Sequence, residues 1–174
     1  MALALCLLFD SRSDRLVREM WSRLEARGVR TLETHTHGRH HPHLSYAVLL
    51  DGDVEEVRAA VAGLPDGGPI ELTVQGSIVF PRGRAALACS VPAPVSARQE
   101  QVVSALERTG AMLHRHYLPG HWVPHVSLAT RATGDALAVV VNEVSDVLPL
   151  TVTAERCALI DTSTGRLWPV PGVP

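Results

Sequence analysis

Two short stretches hold the residues best suited to chemistry. Pro42-His43-Leu44-Ser45-Tyr46-Ala47 and Pro124-His125-Val126-Ser127-Leu128-Ala129 both read Pro-His-apolar-Ser-apolar-Ala. Of nine histidines in the chain, only His43 and His125 are followed two places on by Ser or Thr. Chance alone would produce two such hits in roughly one of several thousand chains of this composition, so the pair is a signal where a lone His-x-Ser is not. Both stretches have strand character, and strand side chains alternate between faces. An unbroken strand puts His43, Ser45 and Ala47 on one face, with Leu44, Tyr46 and Val48 behind. It does the same for His125, Ser127 and Ala129, with Val126 and Leu128 behind. If the two strands meet across a cleft, two imidazoles and two hydroxyls converge. Two imidazoles suit in-line displacement at phosphorus. One takes a proton from the nucleophile and the other gives one to the leaving oxygen, and both roles are open near neutral pH. The serine hydroxyls can donate to the non-bridging oxygens where charge builds up.

The elements that must position these residues follow from periodicity and punctuation. "LALCLLF" reads as a buried strand. "DSRSDRLVREMWSRLEARG" reads as a helix, with Leu16, Val17, Met20, Trp21 and Leu24 at helical spacing and Gly28 as its stop. "HLSYAVLL" is a strand and "DVEEVRAAVAGL" a helix with an acidic first turn. "PIELTVQGSIVF" and "RAALACSV" read as strands joined by the turn "PRG". A long helix runs from about Ser96, the strand "HVSLATRA" follows the loop "LPGHWVP", and "GDALAVVVNEVSDV" is helical. Two strands around "DTSTG" close the series, and the tail "PGVP" is expected to fray. The order β-α-β-α-β-β-α-β-α-β-β contains a pseudo-repeat with one histidine-serine motif in each half. Strand pairs beside helices argue an α+β fold rich in antiparallel pairing. No linker divides the halves, so residues 1–174 are expected to form one compact domain of two pseudo-symmetric lobes, with a groove between two antiparallel-rich sheets and helices outside.

Bulk properties set bounds. Apolar residues make up 46% of 174, enough for a core and against disorder. The net charge of −2 argues against an extended nucleic-acid platform, though not against a small phosphorylated ligand in a local pocket. All sixteen basic residues are Arg. Without Lys there is no Walker-A loop, no Schiff-base amine and no lysyl-nucleotide adduct. Cys6, Cys89 and Cys157 are far apart and form no CxxC pair, which argues against a thiolate zinc site. The opening "MALALCLLF" lacks a basic n-region and reads as a strand rather than a signal peptide, and no apolar run reaches the roughly 20 residues of a membrane span. The expectation is a cytoplasmic protein.

The paired motifs, 82 residues apart, resemble those of the two-histidine (2H) phosphoesterase superfamily, in its 2′-5′ RNA ligase-like and cyclic phosphodiesterase branch. The resemblance covers nearly the whole chain in element order, though only the two hexapeptides are specific. It implies a bilobal fold with a pseudo-twofold axis and metal-independent chemistry at 2′,3′-cyclic or 2′-5′ phosphate linkages of RNA ends or nucleotides. By match to the motif, His43 and His125 are the catalytic residues and Ser45 and Ser127 the phosphate-binding ones, with no cofactor and no metal. Hydrolysis is the expected direction. The alternatives are ATP-independent 2′-5′ joining, which is the reverse reaction, and a non-catalytic module that binds RNA ends or nucleotides.

Other residues are weighed beside these. Arg131 lies six places after His125, on the groove face if the strand continues, where it could grip phosphate. Trp122 and Tyr46 are candidates for stacking on a base, although Tyr46 falls on the wrong face. Arg131 and Trp122 are therefore kept as substrate-binding candidates. His35, His37, His40 and His41 precede the first motif much as His114, His116 and His121 precede the second. Both groups read as loops at the cleft mouth. A metal site would usually add Cys or carboxylate ligands at readable spacing.

Overall fold

The computed structural model describes residues 3–172. Strand β1 (Leu3–Phe9) is buried along its whole length. Leu3, Leu5, Leu7 and Phe9 enter the main core, while Ala4, Cys6 and Leu8 enter a smaller apolar cluster on the opposite face. A strand covered on both sides reads as a continuous apolar run, which is why it shows no alternation. Helix α1 (Ser11–Ala26) opens on Asp10, whose carboxylate accepts the Ser13 backbone N–H at 2.7 Å. Its Val17, Met20, Trp21 and Leu24 are buried. The chain continues through β2 (His43–Asp51), α2 (Val54–Ala62), β3 (Ile70–Phe80), β4 (Arg84–Ser90), α3 (Ala93–Glu107), β5 (Met112–Leu113), a 3₁₀ turn at Arg115–Tyr117, β6 (His125–Ala129), α4 (Asp135–Ser145), β7 (Leu150–Asp161) and β8 (Leu167–Val170).

This is the expected α+β order, with two differences in detail. Helix α3 starts at Ala93, not near Ser96, because Pro92 sits at the N-cap and Pro94 in the first turn. Proline is tolerated there, where its missing N–H has no helical partner in any case. The short β5 and the 3₁₀ turn occupy what reads in sequence as one loop, and β5 pairs with β2 through Leu49 and Leu113. Residues 1 and 2 at the opening and 173 and 174 in the "PGVP" tail lie outside the described residues.

Every strand pairing among the described residues is antiparallel, and the hydrogen-bonded order is β1-β2-β6-β4-β3-β7-β8 with β7 also pairing β1. The two expected sheets are thus parts of one network. β7 joins them: its Leu150–Ala154 portion pairs with β3, and Ala154–Asp161 pairs with β1. At the other seam, β2 and β6 meet at one residue pair, Leu44 and Val126. The duplication is visible in these partners. β1 beside β2 corresponds to β4 beside β6, and β3 to β7. Helix α1 packs on β6 with α4, and α3 on β2 with α2. One turn needs its glycine: Gly83 in the β3–β4 hairpin has φ +69°, and a Cβ there would come within 2.6 Å of the Ala132 carbonyl oxygen.

Candidate active site

The Leu44–Val126 seam places the two motifs. Both side chains are fully buried in the main core. Directly paired residues share a face, so their neighbours lie on the opposite, groove face. Continuing the antiparallel register one residue each way sets His43 opposite Ser127 and Ser45 opposite His125. The result is a quartet with the histidines on one diagonal and the serines on the other. In a regular ladder such diagonal positions are roughly 7–8 Å apart, a span that a phosphate group can bridge. The motif strands are therefore neighbours in one ladder rather than facing walls of a cleft, joined at the Leu44–Val126 seam.

Each strand departs from regularity just after its serine. β1 pairs Cys6 with Ser45 and Leu5 with Ala47, skipping Tyr46. β4 pairs Ala86 with Ser127 and Ala85 with Ala129, skipping Leu128. These are β-bulges at equivalent positions, and bulges recur beside active sites because they re-aim side chains. They correct the unbroken-strand expectation. Ala47 and Ala129 lie in the main core with Tyr46 and Leu128, not on the groove face. Two consecutive carbonyls at each bulge receive donors. Ser45 O accepts from the Trp122 indole at 3.0 Å and Tyr46 O from the Gln99 amide at 3.1 Å. Ser127 O accepts from the Trp21 indole at 3.1 Å and Leu128 O from the Leu32 backbone at 3.3 Å.

The two imidazoles are held alike. His43 Nδ1 lies 2.6 Å from the His41 carbonyl oxygen, and His125 Nδ1 lies 2.7 Å from that of Val123. A carbonyl can only accept, so Nδ1 carries the hydrogen in both rings. Nε2 is left as the atom that gains or loses a proton. Burial pushes both imidazoles below the ordinary histidine pKa, partly offset by the bond to the carbonyl. A proton on His43 further opposes protonation of His125. The coupling disfavours a proton on both rings at once and so widens the pH range in which one ring is charged and the other neutral, the state that acid-base catalysis uses.

The surroundings differ. The Ser45 hydroxyl lies 3.7 Å from Cys6 Sγ, and the half-buried Tyr117 phenol is its other polar neighbour. Burial raises the Cys6 thiol and the Tyr117 phenol to about 12, so both stay protonated. Ser127 is paired instead with Ala86, whose side chain is a methyl group. The Phe80 ring packs against His125 at 4.7 Å between centroids.

Among the other sequence candidates, Tyr46 is buried in the core. Trp122 stands half-buried between the Ser45 carbonyl and the Tyr46 ring. Arg131 does not extend the strand: β6 ends at Ala129, and Arg131 is exposed with φ +58°, its charge acting on His35. His37 and His40 pack at 4.2 Å between centroids, Thr36 Oγ1 bonds His40 Nε2 at 3.1 Å, and burial lowers His40 to about 4. His114 and His116 rings pack at 5.0 Å, while His121 is exposed. Among the described residues no three His, Cys, Asp or Glu side chains are grouped to hold a metal ion.

Sequence reading missed Arg84, Phe80 and Tyr117. Arg84 shares the groove face of β4 with Ala86 and pairs with Phe80 on β3. Its charge acts on His35, His114 and Tyr117, which places it between the two histidine loops. The signal for Arg84 was its even-numbered spacing from Ala86. That spacing has meaning only once Ala86 is known to pair with Ser127.

Comparisons with known proteins bear on the family and the fold. A family model described as the 2′-5′ RNA ligase superfamily matches residues 12–166. No curated protein matches in sequence. Among solved structures, the chain is similar to a protein of Thermus thermophilus at 16% identity and TM-score 0.62, covering 100% of each chain. It is similar to Usb1 of Kluyveromyces marxianus at 15% identity and TM-score 0.55, covering 98% of this chain and 97% of that one. It is also similar to LigT of E. coli complexed with 3′-AMP, at 15% identity and TM-score 0.58, covering 96% of this chain and 92% of that one. At such identities the likeness is one of fold.

Proposed function

The chain belongs to the 2′-5′ RNA ligase superfamily, and from that premise we propose that it is a metal-independent phosphoesterase. Its substrate is the 2′,3′-cyclic phosphate, or the 2′-5′ linkage, of RNA ends or nucleotides. The observation that supports this best is the quartet itself, in which two imidazoles with the same fixed tautomer share one face with two serines. His125 Nε2, neutral, takes a proton from water as its oxygen attacks phosphorus. The bond from phosphorus to the 3′ oxygen breaks, and His43, charged, protonates that oxygen. The product carries a 2′-phosphate and a 3′-hydroxyl. Ser45 and Ser127 donate to the non-bridging oxygens, whose charge grows in the transition state. The assignment of His125 as base and His43 as acid follows the resemblance of the two motifs to those of the family.

A small end-group substrate fits the net charge of −2 better than a long duplex does. Arg131, exposed beside His35, contributes a positive rim to the same mouth. LigT and Usb1 structures hold 3′-AMP and uridine monophosphate respectively, the size of ligand this reading requires. The location that goes with this substrate is the cytoplasm. No helix among the described residues is long and apolar enough to cross a membrane.

The test is incubation with 2′,3′-cyclic mononucleotides and short RNAs ending in a cyclic phosphate, in EDTA, with identification of the product isomer. The expected product is the 2′-phosphate. Loss of turnover in EDTA that zinc restores would remove the metal-independent mechanism. Absence of turnover on every cyclic phosphate would remove the substrate assignment.

A further inference from the structure

Both motif serines sit one residue before a bulge, and each serine carbonyl accepts from an indole N–H. Two of the chain's three tryptophans make this bond. They reach it from positions that the duplication does not relate. Trp21 lies on α1, whose counterpart is α3, a helix without tryptophan. Trp122 stands three residues before His125, and the residue three before His43 is His40. A bond inherited by duplication would come from matching positions. The same bond built twice from unrelated positions marks a requirement of the serine itself.

The physical need is clear from the bulge. A bulge interrupts the ladder that would otherwise hold the strand in register. A buried carbonyl without a donor is costly, so an outside donor holds this conformation against its regular alternative. In an unbulged strand the residues beyond the serine would flip faces, and the pairing that holds Ser45 beside Cys6 and Ser127 beside Ala86 would shift. The indole is suited to the task because it has one donor, no acceptor and a rigid apolar body that packs.

We infer that Trp21 and Trp122 are positioning residues, a pair of indole clamps that hold the Ser127 and Ser45 backbones so that the serine hydroxyls meet the phosphate. The inference rests on the reading of these serines as phosphate donors. It also gives Trp122 a role other than stacking on substrate. Each clamp acts through its own serine, Trp122 through Ser45 and Trp21 through Ser127.

The test is a double-mutant cycle on cyclic phosphate hydrolysis. Trp122→Phe keeps a ring for packing and stacking but removes the N–H. It is expected to lower kcat on the order of 10-fold, within the range of direct couplings, with KM little changed. In a Ser45→Ala background it should cost nothing further, whereas in Ser127→Ala it should cost its full factor. Trp21→Phe should show the mirror pattern, measured on protein with native circular dichroism. The half-buried Trp122 keeps the test open should Trp21→Phe not fold. Losses from Trp122→Phe that multiply in full with Ser45→Ala, or an unchanged kcat in Trp122→Phe while Ser45→Ala is impaired, would overturn the clamp. Serine variants with wild-type activity would instead overturn the reading of the site on which it rests.

Discussion

The two halves of the groove share a backbone and differ in what surrounds it. In each, an imidazole Nδ1 is tied to the carbonyl two residues back, a serine follows, and a bulge and an indole come next. Around Ser45 the space is filled. It is 9% exposed, with Cys6 and Tyr117 both protonated beside it. Ser127 faces a methyl group, and the neighbouring His125 carries an aromatic ring instead. The duplicated hexapeptide supplies the chemical groups, and the carbonyl of the residue just before it sets their tautomers. The two motifs carry the same histidine and serine, so the division into acid and base must come from neighbours on other strands.

The largest effects fall on what the halves share. His43→Ala and His125→Ala are each expected to lower kcat on the order of 10²-fold or more, the usual scale of general acid-base catalysis. A substrate whose leaving group needs no protonation then separates them. It should restore turnover to His43→Ala and not to His125→Ala. The opposite rescue would reverse the roles, and full activity in both variants would end the two-histidine mechanism.

The serines should lose less per site, because one hydrogen bond to phosphate goes while proton transfer stays. Here the halves should part. Ser45→Ala removes a hydroxyl that sits against the buried Cys6 thiol and beside the half-buried Tyr117 phenol. It is expected to destabilise the fold by about 1 kcal/mol, or roughly 2–4 °C in Tm for a chain of this length. Ser127→Ala, beside Ala86, should leave Tm unchanged. Equal melting temperatures for the two variants would mean that the filled surroundings of Ser45 contribute nothing to its hold.

Why some of this was readable in the sequence and some was not follows from where the information resides. Alternation within a strand is local, so it placed His43 with Ser45, and His125 with Ser127, on one face. Helical periodicity is also local, and of the stripe Leu16, Val17, Met20, Trp21 and Leu24 that it marked, all but the half-buried Leu16 are buried. A bulge is not local. Tyr46 and Leu128 are skipped only in register with β1 and β4, and nothing within "HLSYAV" or "HVSLAT" sets that register. Carrying the alternation past the serines therefore sent Ala47 and Ala129 to the wrong face, and it sent Arg131 along a strand that had already ended. The start of α3 is not local either: Pro92 and Pro94 fit a first helical turn only where the helix begins at Ala93 rather than near Ser96. Phe80, Arg84 and Tyr117 carry no motif, and strand pairing or a loop brings them to the groove.

The finest test of the comparison is a shift in pH dependence. Activity should follow a bell: it falls at low pH as the base becomes protonated and at high pH as the acid loses its proton. Both limbs belong to the coupled pair rather than to either ring alone. Burial holds the His125 pKa below its ordinary value, and Phe80 is part of what covers that ring. Phe80→Ala admits water, which favours the charged imidazole and raises that pKa toward the ordinary one. The base is then neutral only at higher pH, so the acid limb should move up by a fraction of a pH unit, read from kcat/KM against pH. The alkaline limb should move less than the acid one, since the ring that Phe80 covers is that of His125. Movement of the alkaline limb alone would mean that the residue under Phe80 is the acid, and the assignment of the two halves would have to be exchanged.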